Sequence, residues 1–194
     1  MALDLLFLGP PGAGKGTQAK RLSAEHGIPQ ISTGEMLREA IATGSELGRR
    51  VEPILESGEL VPDELMIELI RERVGRNDTA NGFVLDGFPR TLAQAEALDE
   101  MLRSIGRRLS AVLEFQLDEE EAVRRLLGRA ATEGRSDDTP YVIRNRMRVY
   151  RDQTEPLVAY YLAQGILVGI PAEGTIDAVS EEVERVIDRV GARV

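Results

Sequence analysis

A glycine-rich loop between an apolar run and a helix-forming segment constrains this chain most: Leu5-Leu6-Phe7-Leu8-Gly9-Pro10-Pro11-Gly12-Ala13-Gly14-Lys15-Gly16-Thr17. A short apolar run ended by glycine reads as a buried strand, and strand, loop and helix in that order form a phosphate-binding P-loop. Glycines remove the Cβ atoms that would stop successive backbone N–H groups from turning around an anion. The helix that follows aims the positive end of its dipole at the same point, and Lys15 adds a mobile full charge. The generic pattern puts Ser or Thr directly after the lysine; here Gly16 intervenes and Thr17 comes next. The loop implies nucleotide handling without specifying a reaction.

Composition narrows the partners. A chain of 194 residues, 42% hydrophobic, suits one compact domain with small inserted lobes. With 24 Lys+Arg against 33 Asp+Glu, the net charge of −9 argues against a nucleic-acid or anionic membrane partner. Arginine clusters in so acidic a chain point to a small phosphorylated ligand. Cysteine is absent, which excludes disulfides and thiolate metal sites. No apolar run approaches the ~18 residues of a membrane span. The first residues lead straight into a strand without a basic leader. The expected location is the cytoplasm, and the expected state is a monomer.

Strands are predicted at residues 3–8, 28–31, 82–86, 111–117 and 166–170. Helices are predicted at 14–25, 32–42, 47–56, from 61–64 onward, and at 91–104, 119–127, 140–163 and 175–190. This alternation implies an α/β fold, a parallel sheet with helices on both faces. Residues 32–61 carry helices without strands and are expected to form a lobe at the sheet's edge. Ser32-Thr33-Gly34-Glu35 fits a capping box. Either Ser32 caps and frees the Thr33 hydroxyl, or Thr33 is itself the cap. Residues 130–138 read as a small polar loop. The helix over 140–163 would bury the stripe Ile143, Met147, Tyr150, Thr154, Leu157 and Tyr161.

Val84-Leu85-Asp86 places a carboxylate at the end of a buried strand, where ligands of such sheets sit. Beside a P-loop, Asp86 reads as a Mg²⁺ partner, directly or through water; taken alone it reads as a turn residue before Gly87. Arg90 lies just past the strand end. Gln94 follows one helical turn later, and its amide both donates and accepts, which suits the edge of a base. Arg125 and Arg129, four apart, share a helix face. Arg146 points away from Arg144, Arg148 and Arg151, which share a solvated stripe. His26 is assigned no role.

Taken together, Gly-Pro-Pro-Gly-Ala-Gly-Lys-Gly-Thr-Gln at 9–18, Ile-Ser-Thr-Gly-Glu-Met-Leu-Arg at 31–38, Leu-Val-Pro-Asp-Glu-Leu at 60–65 and Asp-Gly-Phe-Pro-Arg-Thr at 86–91 resemble adenylate kinases. The similarity continues through Gly128-Arg129, Gly134-Arg135, Asp137-Asp138 and Arg146 to Thr154-Glu155-Pro156-Leu157. That family also carries glycine between the P-loop Lys and Thr. The resemblance implies a P-loop NTPase fold on a five-stranded parallel sheet, and reversible phosphoryl transfer from MgATP to AMP giving two ADP. It implies an ATP site at Gly12, Ala13, Gly14, Lys15, Gly16, Thr17, Arg125, Arg129 and Gly174. It implies an AMP site at Thr33, Arg38, Leu60, Val61, Gly87, Arg90, Gln94, Arg135 and Arg146. Lys15, Arg90, Arg129, Arg135 and Arg146 would serve the transferring group, with Asp86 on Mg²⁺.

The same resemblance divides the chain into a core (1–31, 62–128 and 136–194), a monophosphate-binding lobe (32–61) and a short lid (129–135) of the form without structural zinc. It also suggests a cis Phe88–Pro89 bond. Asp137 and Asp138 match the family's acidic pair, although Asp138 before Thr139-Pro140 reads equally as a cap region. Tyr141 stands where many relatives have an acid. A UMP/CMP-type kinase would share fold and phosphate residues, but typical pyrimidine-specific relatives carry asparagine-containing versions of 91–94. A non-catalytic nucleotide-binding module would have lost Lys15, Arg90 or a lid arginine.

Overall fold

The computed structural model describes residues 2–133 and 138–191. In chain order its elements are β1 (Leu3–Leu8), α1 (Lys15–His26), β2 (Gln30–Ser32), α2 (Thr33–Ala42), α3 (Glu46–Ser57), α4 (Asp63–Val74), β3 (Gly82–Asp86), α5 (Leu92–Ser104), β4 (Ala111–Gln116), α6 (Glu119–Glu133), α7 (Pro140–Val149), α8 (Leu157–Ala163), β5 (Leu167–Pro171) and α9 (Ile176–Gly191). The strands form one five-stranded sheet in the order β2-β3-β1-β4-β5, with every pairing parallel.

Period-two alternation divides the core between the two faces of this sheet. Leu6, Leu8, Leu85 and Val112 pack with α4, α5 and α8 through Ile70, Leu98 and Tyr161. Leu5, Phe7, Val84 and Leu113 pack with α1 and α9 through Leu22 and Val183. β1 is therefore apolar nearly throughout, as a strand covered on both faces must be. The chain leaves β1 through α1 toward β2 and leaves β3 through α5 toward β4, in opposite directions and on opposite faces. The crevice between the ends of β1 and β3, where Phe7 pairs with Asp86, is a topological switch point. The P-loop sits there.

Residues 32–61 hold α2 and α3, which follow the edge strand β2 in the chain and pack against each other. Two expectations are corrected. First, α6 runs through Glu133, so residues 130–133 are helical rather than part of a polar loop. Ala130-Ala131 are the strongest helix formers, and they extend the turn begun by Arg129. Gly134, Arg135 and Asp137 lie outside the described residues.

Second, the helix expected over 140–163 is broken. α7 ends at Val149, residues Tyr150–Thr154 form a π-turn, and α8 begins at Leu157. Pro156 is the cause: it has no N–H to donate, and its ring crowds the carbonyl four residues back. The Glu155 N–H reaches five residues back instead, to Tyr150 O at 2.9 Å. The expected stripe still faces inward, with Ile143, Met147, Thr154, Leu157 and Tyr161 buried.

Candidate active site

Lys15 opens α1 and folds back over its own loop, donating from Nζ to Gly9 O at 2.7 Å and Pro10 O at 2.8 Å. Burial pushes its amine down to about 8; Asp86 opposes the fall, and Arg90, Arg146 and Arg129 add to it. The lysine thus sits at the focus of four charged side chains. Gly16 has a steric reason as well as a family one. A Cβ there would lie 3.3 Å from Asp86 Oδ2, so glycine lets the carboxylate come up against the loop. Ala13 is buried and donates its N–H to Pro10 O at 3.2 Å, inside the loop.

Two cavities meet in front of this loop. The larger, about 410 Å³, is lined by Gly12, Gly14, Lys15, Gly16 and Thr17, and by Asp86, Arg125 and Arg129 opposite. The smaller, about 50 Å³, lies under α2 and α3 and is lined by Thr33, Leu60, Val61, Met66 and Gln94. Arg38, Gly87, Arg90 and Arg146 border both. Gly174 lies in the β5–α9 connection and lines neither.

The smaller cavity is built from caps and a turn. Ser32 Oγ accepts the Glu35 N–H at 3.4 Å, so Ser32 is the cap of α2. Glu35 pairs with Lys20 at 2.7 Å instead of closing the box. The Thr33 hydroxyl is thereby released, and it donates to Gly87 O at 2.9 Å. Arg90 Nε donates to the same carbonyl at 2.8 Å. Gly87 has φ 85°, and a Cβ there would fall 2.7 Å from Thr33 Oγ1. No residue with a side chain fits between Thr33 and Arg90. The Phe88–Pro89 bond in the same turn is cis.

Gln94 is buried, and both ends of its amide are engaged. Its Oε1 accepts the Arg90 N–H at 2.8 Å, and its Nε2 donates to Asp63 Oδ1 at 2.7 Å. Asp63 was not singled out from the sequence: a carboxylate in the first turn of a helix reads as dipole complement. Thr154, presented by the π-turn, donates to Arg90 O at 2.8 Å. Pro156 is thus linked to the site through the local winding it forces.

Asp138 has no exposed side-chain surface. It accepts from Arg129 Nε at 2.7 Å, Arg129 Nη2 at 2.8 Å and Arg146 Nη1 at 2.8 Å. Thr139 is the cap of α7, accepting the Val142 N–H at 3.3 Å. Asp138 is therefore not the cap of α7; it holds Arg129 and Arg146 together. Arg125 Nε donates to Glu121 Oε1 at 2.7 Å while lining the larger cavity. Arg144, Arg148 and Arg151 are exposed, and Arg146 is turned into the cleft. Among the described residues, the one group of His and acidic side chains close enough to share an ion is Glu25, His26 and Glu184, on α1 and α9 outside the cleft. No helix among the described residues is long and apolar enough to cross a membrane.

The family model of adenylate kinases matches residues 7–166. An adenylate kinase of Thermus thermophilus is 55% identical over 175 residues, covering 90% of this chain and 91% of that protein. One of Agrobacterium fabrum is 47% identical, covering 98% and 100%, and one of Archaeoglobus fulgidus is 44% identical, covering 97% and 99%.

Proposed function

The chain belongs to the adenylate kinase family, and from that premise we propose that it transfers the terminal phosphoryl group of MgATP to AMP, reversibly, giving two ADP. The observation that carries this reading is the shared wall of the two cavities. Arg38, Arg90 and Arg146 border both, so phosphates entering from either side meet between the same guanidinium groups. The P-loop side takes ATP, with Lys15 and the loop amides on its phosphates and Arg125 and Arg129 across the cleft. The smaller side takes AMP, with Thr33, Leu60, Val61, Gly87 and Gln94 around the nucleoside.

In the forward direction a bond forms from an AMP phosphate oxygen to the γ-phosphorus as the bond from that phosphorus to the β,γ-bridging oxygen breaks. The attacking oxygen is already charged, so no general base is needed. Catalysis reduces to alignment and to balancing charge spread over the transferring group. Lys15, Arg90, Arg129 and Arg146 supply that balance. Asp86 is a hard oxygen donor at the end of β3, drawn up to the loop at Gly16, and it suits Mg²⁺ held through water. When bound, the ion neutralises phosphate charge and orients the ATP. Residues 32–61 would close over AMP and the segment 129–135 over ATP, keeping water from the reacting phosphate. We read the working protein as a cytoplasmic monomer.

A panel of AMP, GMP, CMP and UMP with MgATP tests the reading, with ADP formation as the signal. AMP is expected to be the preferred acceptor. Preference for CMP or UMP would move the chain to the pyrimidine branch, and no turnover with any acceptor would leave a binding module. Arg90→Ala is expected to cost on the order of 3–4 kcal/mol of barrier; near-normal turnover would misplace the shared wall.

A further inference from the structure

We propose that Asp63 selects the acceptor base, by locking the Gln94 amide in the one orientation that reads adenine. The inference rests on the reading of the smaller cavity as the AMP site. An amide side chain has two nearly isosteric orientations, and they present opposite hydrogen-bonding patterns. Here both neighbours of the Gln94 amide are single-valued. The Asp63 carboxylate only accepts, and it takes Nε2 at 2.7 Å. The Arg90 backbone N–H only donates, and it takes Oε1 at 2.8 Å. Flipping the amide would set Oε1 against a carboxylate and Nε2 against an N–H.

A third contact stiffens the lock. Thr91 Oγ1 donates to Asp63, at 3.1 Å from Oδ1 and 3.0 Å from Oδ2, and accepts the Gln94 N–H at 3.2 Å. Asp63 opens α4, while Thr91 and Gln94 open α5. The carboxylate thus ties two helix starts to one amide.

With these partners satisfied, Gln94 keeps one N–H and one carbonyl lone pair in fixed positions at the cavity wall. Adenine offers the matching edge, an acceptor at N1 and a donor at the C6 amine. Inosine monophosphate is the exact inversion on the same ring frame, with a donor N1–H and an acceptor C6 carbonyl. To read it, Gln94 would have to flip. Asp63 is a positioning residue in this scheme, acting on the base through Gln94.

The test is the ratio of kcat/KM for AMP to that for inosine monophosphate, with saturating MgATP, in wild type and in Asp63→Asn. Asparagine has the same shape but both donates and accepts, so it tolerates either amide orientation. The ratio is expected to fall about tenfold or more, the scale of one hydrogen bond to a charged group. The loss for AMP should appear mainly in its KM, and KM for MgATP should stay unchanged. A ratio is independent of the fraction of protein folded, so partial destabilisation does not obscure the result. In a Gln94→Ala background, Asp63→Asn should leave the ratio where Gln94→Ala alone puts it. An Asp63→Asn ratio within about twofold of wild type, even with both rates reduced, would overturn the proposal. So would a further fall in the Gln94→Ala background. A wild-type protein that does not use AMP would instead overturn the functional reading beneath it.

Discussion

Replacing Asp138 by Asn removes one charge and almost no volume. The side chain has no exposed surface and accepts three hydrogen bonds, two from Arg129 and one from Arg146, at 2.7–2.8 Å. Asparagine keeps one acceptor oxygen and turns an NH₂ toward guanidinium donors, so one or two of these bonds are lost. A hydrogen bond to a charged group contributes about 1.5–3 kcal/mol. The expected loss is therefore about 3 kcal/mol. For a chain of this size about 1 kcal/mol lowers Tm by about 2–4 °C, so the fall should be about 6–12 °C by calorimetry. Function should separate from stability. The variant leaves more positive charge in the cleft, so KM for MgATP should stay level or fall. The guanidinium groups lose their common anchor, so kcat should fall by about 100-fold or more, the scale of one misplaced transition-state donor. Steady-state kinetics well below the new Tm distinguish the two effects. An unchanged Tm with unchanged kcat would show that Asp138 does not set the arginines.

Three further outcomes follow from the geometry. Lys15, pushed down to about 8, must be protonated to hold phosphate; kcat/KM for MgATP, which reports the free enzyme, should drop about tenfold at pH 9, while kcat holds to higher pH because bound phosphates favour the ammonium. A kcat/KM flat to pH 9.5 would refute this. Gly87→Ala puts a methyl 2.7 Å from Thr33 Oγ1 at φ 85° and should cost about 1–3 kcal/mol, with KM for AMP raised more than KM for MgATP; equal effects on both would place the turn outside the AMP side. At the opposite end of the sheet, Asp4 is buried, paired with Arg107, and its carboxyl is raised by burial against that arginine's pull. Arg107→Ala should destabilise by about 3–5 kcal/mol. Because the folded pKa lies above the unfolded value and would rise further, the variant's stability should fall as pH rises from 4 to 7. Urea melts across that range check the sign.

Much of the fold was legible because its signals are local. β1 is apolar on both faces and ends in glycine, and β3, apolar until Asp86, also ends in glycine at Gly87. The capping sequence at Ser32 held two readings; the Glu35 N–H on Ser32 Oγ decides between them, and where the released Thr33 hydroxyl goes, to Gly87 O, is a tertiary contact that no local pattern reveals. The misread elements have local causes of another kind. Ala130-Ala131-Thr132 contains no breaker, yet it stands where a loop was wanted. Pro156 is a breaker, but its effect falls upstream, in a π-turn that sequence periodicity cannot distinguish from a continuous stripe. Asp63 and Asp138 show the deeper limit. Each acts on side chains of other elements, Asp63 from α4 onto α5 and Asp138 from between α6 and α7 onto both, and no spacing rule within one element reveals that.

A chain with net charge −9 should repel nucleotides at long range, yet its cleft is lined by Lys15, Arg38, Arg90, Arg125, Arg129 and Arg146. The contradiction resolves at short range. Asp138 takes Arg129 and Arg146, Glu121 takes Arg125, and loop carbonyls take the Lys15 ammonium. Each of these acceptors occupies donors that a phosphate oxygen would use, and each holds its cation in place before any nucleotide arrives. The cleft therefore carries oriented donors whose positive charge is only partly offset, and little reorganisation is left for the moment of transfer. The net negative charge acts on approaching anions at long range, while the local pairs orient the groups that line the cleft. Removing surface acids should then change association rates and their salt dependence, whereas removing Asp138 or Glu121 should change the positioning of the arginines that meet the phosphates.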